Sequence, residues 1–184
     1  MFTRVALYSF FFLLTATAAG QGIVRCDDGR IFWVITGNNR GFAIPLEGDV
    51  SETNDDLINV EDKALHYYIL DAKNYYTADG NNTDPDILER FIKGEMDGLE
   101  LEGMEPVKAL RLRQDGESFL LWRHNWTSGN QVDRQVHATI VLSDTVIWLT
   151  CPKFIDMELA SVEAFVIKCI ENVKEIESAE ALCE

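Results

Sequence analysis

Residues 107–151 alternate apolar and polar side chains in four short runs separated by turn-forming residues, and this pattern most limits how the chain can fold. Residues 107–113 lead through Gln114-Asp115-Gly116-Glu117 into 118–126. A looser turn at 127–133 leads into 134–142, and Ser143-Asp144 makes a two-residue turn into 145–151. Four strands joined by such short connections form an antiparallel meander.

Helices flank the meander. Asp84 is placed to cap a helix, with Pro85 at its first position and Asp86 complementing the dipole. Ile87, Leu88, Phe91, Ile92, Met96 and Leu99 then form an apolar stripe that Glu95 interrupts. Asp156 is placed to cap a closing helix with Val162, Phe165, Val166, Cys169, Ile170, Val173 and Ile176 on one face. Nearer the start, 31–36 and 42–44 read as strands around a glycine- and asparagine-containing turn, and Pro45 ends the second. Residues 47–63, dense in carboxylates, read as a solvated loop, and 64–76 as a further strand.

Residues 1–20 have the layout of an export signal: Arg4, an apolar run too short to span a bilayer comfortably, and the small residues Ala16, Ala18 and Gly20. Residues 21–184 are then expected to form a single domain in a secreted or periplasmic setting. The 184-residue chain has 31 acidic and 16 basic residues, a net charge of -15, and losing the signal removes only one basic group. So acidic a surface argues against nucleic-acid binding and against adsorption to a membrane through basic residues. Stable membrane insertion after signal cleavage is not expected. Four cysteines, Cys26, Cys151, Cys169 and Cys183, remain after cleavage, and an even number in an oxidising compartment favours disulfides. Three connectivities are open. Cys151–Cys169 with Cys26–Cys183 is preferred, and the alternative for Cys169 is a small buried apolar role.

Strands, a helix, a meander and a closing helix indicate an α+β fold. The expected form is an antiparallel sheet of about six to seven strands with two main helices, packed as an αβα sandwich. The early phrase Gly41-Phe42-Ala43-Ile44-Pro45 resembles the first strand of the PsbP/DcrB-like superfamily. The later phrase Val146-Ile147-Trp148-Leu149-Thr150-Cys151-Pro152, followed by the helix over 156–176, is similar to that superfamily's closing strand and helix. The resemblance covers residues 40–178 and departs at the additional strand 31–36 and at the cysteines. It implies a non-catalytic accessory or partner-binding role, as in oxygen-evolving-complex subunits, envelope proteins and effector chaperones. It carries over no catalytic residue.

The residues themselves show no H-E-x-x-H, G-x-S-x-G, P-loop or G-x-G-x-x-G pattern, and no cofactor is assigned. A symmetric 127–133 turn would set Trp122 opposite Thr139 and His124 opposite His137, and the turn at 143–144 would set Thr139 opposite Trp148. Alternation then gathers Trp122, His124, Trp126, His137, Thr139, Trp148 and Thr150 on one face, either under the first helix or open to a partner. The paired histidines lack a third ligand, so no metal is assigned. A second candidate surface is acidic: Asp49, Glu52, Asp55, Asp56, Glu61 and Asp62, which would steer a basic protein partner. The leading functional expectation is an exported, non-enzymatic accessory or inhibitor-type protein that binds a protein partner. The alternative is a carrier of a small hydrophobic ligand or lipid, with a pocket between sheet and first helix lined by Phe91, Met96, Trp122 and Trp148.

Overall fold

A computed structural model of the chain describes residues 22–184 except 55, 79, 81, 102–106 and 126–131. The expected signal segment, Asp55 and Trp126 lie outside the described residues. In chain order the elements are β1 (Gly22–Arg25), β2 (Ile31–Gly37), β3 (Arg40–Leu46), β4 (Val50–Asn54), β5 (Leu57–Val60) and β6 (Lys63–Asp71). A short 3-10 turn (Ala72–Tyr75) precedes α1 (Asp84–Leu101) and the meander β7 (Val107–Leu112), β8 (Ser118–Asn125), β9 (Val132–Leu142) and β10 (Thr145–Phe154). Then come α2 (Leu159–Asn172), β11 (Lys174–Ile176) and a second 3-10 turn (Glu180–Leu182).

A seven-stranded sheet in the order β4-β5-β6-β10-β9-β8-β7 forms the centre, and every pairing in it is antiparallel. The turn at Ser143-Asp144 is as expected, with both residues in the left-handed region (φ 48° and 64°) that a two-residue hairpin of this kind requires. A second sheet, β1-β2-β3-β11, collects the early strands and the segment after α2. Its β2–β3 hairpin turns on Asn38-Asn39, again left-handed at both residues. The two sheets meet where a Cβ at Gly37 would overlap Ile69 of β6, so only glycine permits that approach.

Alternation along the central strands builds two cores. Phe119, Leu121, Val136, Ala138, Ile140, Ile147 and Leu149 face α2 and the second sheet, packing with Trp33, Phe42, Ile44, Val162, Val166 and Ile170. Leu120, Trp122, Val141 and Val146 face the other way, against Ile87, Leu88, Phe91 and Ile92 of α1. A third, smaller cluster of Cys26, Phe32, Val34, Ala43 and Leu182 lies on the second sheet beneath the C-terminal turn. A disulfide from Cys26 to Cys183 holds that turn in place.

Several expectations change. The 47–63 segment is not a loop: it is the β4–β5 hairpin, because Val50, Ile58 and Val60 recur at spacings that bury them in the main core while the acidic side chains point to solvent. The strand expected over 64–76 stops at Asp71, whose carboxylate accepts from Lys73 N at 2.9 Å and starts the 3-10 turn. Thr83, not Asp84, caps α1: its carbonyl accepts the Ile87 N–H at 3.0 Å, and its hydroxyl donates to the Asp86 carboxylate. Glu158, not Asp156, takes the cap position of α2, because its carbonyl receives the first N–H bonds of the helix. Ile176 belongs to β11 rather than to the helix stripe.

Of the preferred disulfides, only Cys26–Cys183 is present; Cys151 and Cys169 are buried free thiols in the main core. Burial pushes both thiols up to about 12, so neither is a ready nucleophile. The small apolar role weighed for Cys169 is the one it takes.

Thiol titration of the denatured, unreduced protein should therefore find Cys151 and Cys169 reactive and Cys26 and Cys183 blocked. The bridge closes a sequence separation of 157 residues. Replacing both its cysteines by serine should lower unfolding stability by about 2–5 kcal/mol, read from the urea midpoint.

Candidate functional site

The face of the large sheet beneath α1 carries the tryptophans and histidines singled out in the sequence. In the observed β8–β9 register Trp122 lies opposite His137 and His124 opposite Gln135, two residues away from the expected pairing. A two-residue shift preserves which face each side chain occupies, so the cluster still assembles. Trp148 sits opposite Thr139, as expected.

The aromatic rings form a continuous stack. Trp122 lies on His137 with centroids 3.7 Å apart and planes at 18°, and His137 is 5.1 Å from His124 at 14°. Trp148 meets Phe91 of α1 edge-on at 5.5 Å and Tyr68 of β6 at 4.6 Å. Tyr68 in turn contacts His66 at 4.6 Å. Trp122, His124 and His137 are 1 %, 5 % and 4 % exposed, so the cluster is a second core and its interior members are closed to a partner. Trp148 is half-buried and Tyr68 exposed, and together they form its open margin. Phe91, Trp122 and Trp148 are in ring contact beneath α1, with Met96 packed against the same group, where the alternative reading placed a ligand pocket.

Hydrogen bonding in the cluster is directional. An indole N–H can only donate, so the 3.1 Å contact from Trp148 Nε1 makes His137 Nδ1 an acceptor. The proton of neutral His137 is then on Nε2, where it donates to His124 Nδ1 at 3.2 Å. Trp122 Nε1 donates to Thr139 Oγ1 at 3.2 Å, which satisfies a second buried indole. This tautomer places a proton on the His137 nitrogen that faces His124, the nitrogen a metal shared by the two rings would need. Among the described residues no group of three or more His, Cys, Asp or Glu side chains is arranged to hold a metal.

Burial, reinforced by the neighbouring His124, holds His137 well below the usual histidine range. Glu95, which interrupted the apolar stripe of α1, is half-buried, and burial raises its pKa. Sequence reasoning missed His66 and Tyr68. The register that sets Tyr68 opposite Trp148 and His66 opposite Thr150 extends the aromatic row onto β6. Their alternation with Tyr67 was the available signal.

The second candidate surface lies on the β4–β5 hairpin and its turns. Asp49, Glu52, Asp56, Glu61 and Asp62 are all exposed. Lys63 pairs with Asp62 at 2.6 Å, and His66 Nε2 meets Asp56 Oδ2 at 3.0 Å, joining the hairpin to the aromatic margin. Glu61 is left-handed (φ 55°) at the turn, and its N–H donates to Asp49 O at 2.7 Å, which brings the two ends of the hairpin's acidic surface together.

His137 titrates near its ordinary pKa when unfolded but resists protonation when folded. The unfolded state then binds the extra proton, and stability falls as pH drops below about 6.5, by about 1.4 kcal/mol per unit. Urea unfolding between pH 7.5 and 5 should show this slope in the native sequence. His137→Gln, which keeps an acceptor for Trp148, should flatten it; equal slopes in both proteins would contradict the assignment.

No family model matches the chain, and no curated protein matches it in sequence. Among solved structures it is similar to the solution structure of cyanobacterial PsbP (CyanoP) from Synechocystis sp. PCC 6803. The two share 13 % sequence identity with a TM-score of 0.51, over 79 % of this chain and 92 % of that one. At that identity the likeness speaks to architecture, and it agrees with an antiparallel sheet between helices: this chain has a PsbP-like α+β fold.

Proposed function

We propose that this chain is an exported, non-catalytic accessory protein that binds a basic protein partner through its acidic β4–β5 hairpin. The observation that carries the reading is the division of the two candidate surfaces. Trp122, His124 and His137 are spent in a closed core, whereas Asp49, Glu52, Asp56, Glu61 and Asp62 stand exposed together at one margin of the large sheet. Clustered exposed carboxylates raise the encounter rate with a cationic surface and lose that effect in salt. The PsbP-like fold supports an accessory role by analogy, a weaker argument than the surface itself. Export is supported by the Cys26–Cys183 bridge, since disulfides persist in oxidising compartments. Among the described residues no helix is long and apolar enough to cross a membrane.

Capture from an extract of the source organism should recover a basic protein at low salt and lose it as ionic strength rises. Replacing Glu52, Glu61 and Asp62 together by lysine should abolish that capture while circular dichroism and the urea midpoint stay close to those of the native sequence. Capture that is indifferent to salt, or that survives the triple replacement, would remove the hairpin from the interface.

A further inference from the structure

The two edges of the large sheet are treated differently. At the β4 edge Arg25 of β1 donates to the Val50 carbonyl at 2.5 Å, and the exposed side chains are Ser51, Glu52, Thr53 and Asn54. A covered carbonyl and polar side chains are common means of discouraging another strand from pairing. At the opposite edge, β7 has all six residues exposed, including Val107, Leu110 and Leu112 at 52 %, 49 % and 69 %. Alternate backbone N–H and C=O groups of this strand point away from β8.

Strand β7 is also held in place. Lys108 pairs with Glu89 of α1 at 2.8 Å. Just past its other end, Arg113 donates to the Val173 carbonyl at 3.1 Å and pairs with Asp115 at 3.0 Å. A strand clamped at both ends is a preorganised template, and ordering it further costs an incoming strand little.

Charge selects the occupant. In a protein of net charge -15, residues 107–113 contain three basic side chains and no acidic one. Lys108 and Arg113 are engaged, whereas Arg111 is exposed and makes no ion pair among the described residues. A second copy of this chain is a poor match: antiparallel pairing about the strand centre would set Lys108 of each copy against Arg111 of the other, between two strongly acidic bodies. We propose that β7 accepts an extended acidic segment of a partner protein as an additional antiparallel strand. Its apolar residues would lie beside Leu110 and Leu112 on the α1 side, and a carboxylate on the other side would meet Arg111. This surface is separate from the acidic hairpin, at the far edge of the same sheet.

The test uses the full chain and three labelled peptides: one alternating valine and glutamate, one alternating valine and lysine, and a scrambled glutamate peptide. Anisotropy titration should show binding of the first, and amide hydrogen exchange should show protection confined to residues 107–112. Arg111→Glu should weaken that binding by about tenfold or more and shift preference to the lysine peptide, with Arg111→Gln intermediate. The proposal is overturned by an absence of β7 protection at saturating peptide, by equal binding to the glutamate and lysine peptides, or by unchanged affinity in both Arg111 variants. Sedimentation showing a concentration-dependent dimer that Arg111→Glu abolishes would make a second copy the occupant and overturn it too.

Discussion

Strands β8, β9 and β10 supply side chains to two cores at once, and the rest of the structure depends on that double use. Phe119, Ile140 and Ile147 point to one side and Leu120, Val141 and Val146 to the other, so burying either face alone would leave the other wet. The α1 stripe covers one face; α2 and the second sheet cover the other. The large apolar side chains on these faces each contribute about 1.5–3 kcal/mol by leaving water. The same requirement explains the second sheet, since α2 covers only part of its side and β2–β3 completes the layer. Beyond that layer the C-terminal turn closes the outer surface, and the Cys26–Cys183 bridge ties the end of the chain to the first strand.

The α1 side is the less uniform of the two cores. One indole, two imidazoles and a threonine are buried there beside the half-buried indole of Trp148, and each additional polar group in an apolar layer costs stability unless it finds a partner. Trp148, His137 and His124 bond in sequence, and Trp122 bonds to Thr139. One donor fixes the tautomer of the next, so the chain of bonds tolerates a neutral His137 and opposes a charged one. The cluster therefore gives this core a dependence on acidic pH that the core behind α2 lacks, since the thiols buried there are held neutral and respond only to alkali.

Electrostatically the sheet is polarised from edge to edge. Carboxylates gather on the β4–β5 hairpin, and a stretch without any acidic residue runs along β7. The Tyr68–Trp148 strip lies between these two margins.

Amino-acid pattern alone determined the α+β class, the two helices, the four-strand meander and the faces on which its residues lie, because these follow from local periodicity and turn chemistry. The acidic segment 47–63 misled that reading: its charges masked Val50, Ile58 and Val60, whose value as core residues exists only once β6 is beside them. Strands β1 and β11 were equally illegible: both are short, and β11 pairs only with the distant β3. The β8–β9 register escaped for a related reason, since burial of one face specifies odd or even pairing and the turn selects among the pairings that remain. Cysteine pairing and the exposure of the tryptophan–histidine face likewise belonged to the tertiary structure. Spacing in the chain does not tell which sulfurs come within bonding distance, nor which of two faces a helix will cover; both depend on how layers stack, a property of the whole fold.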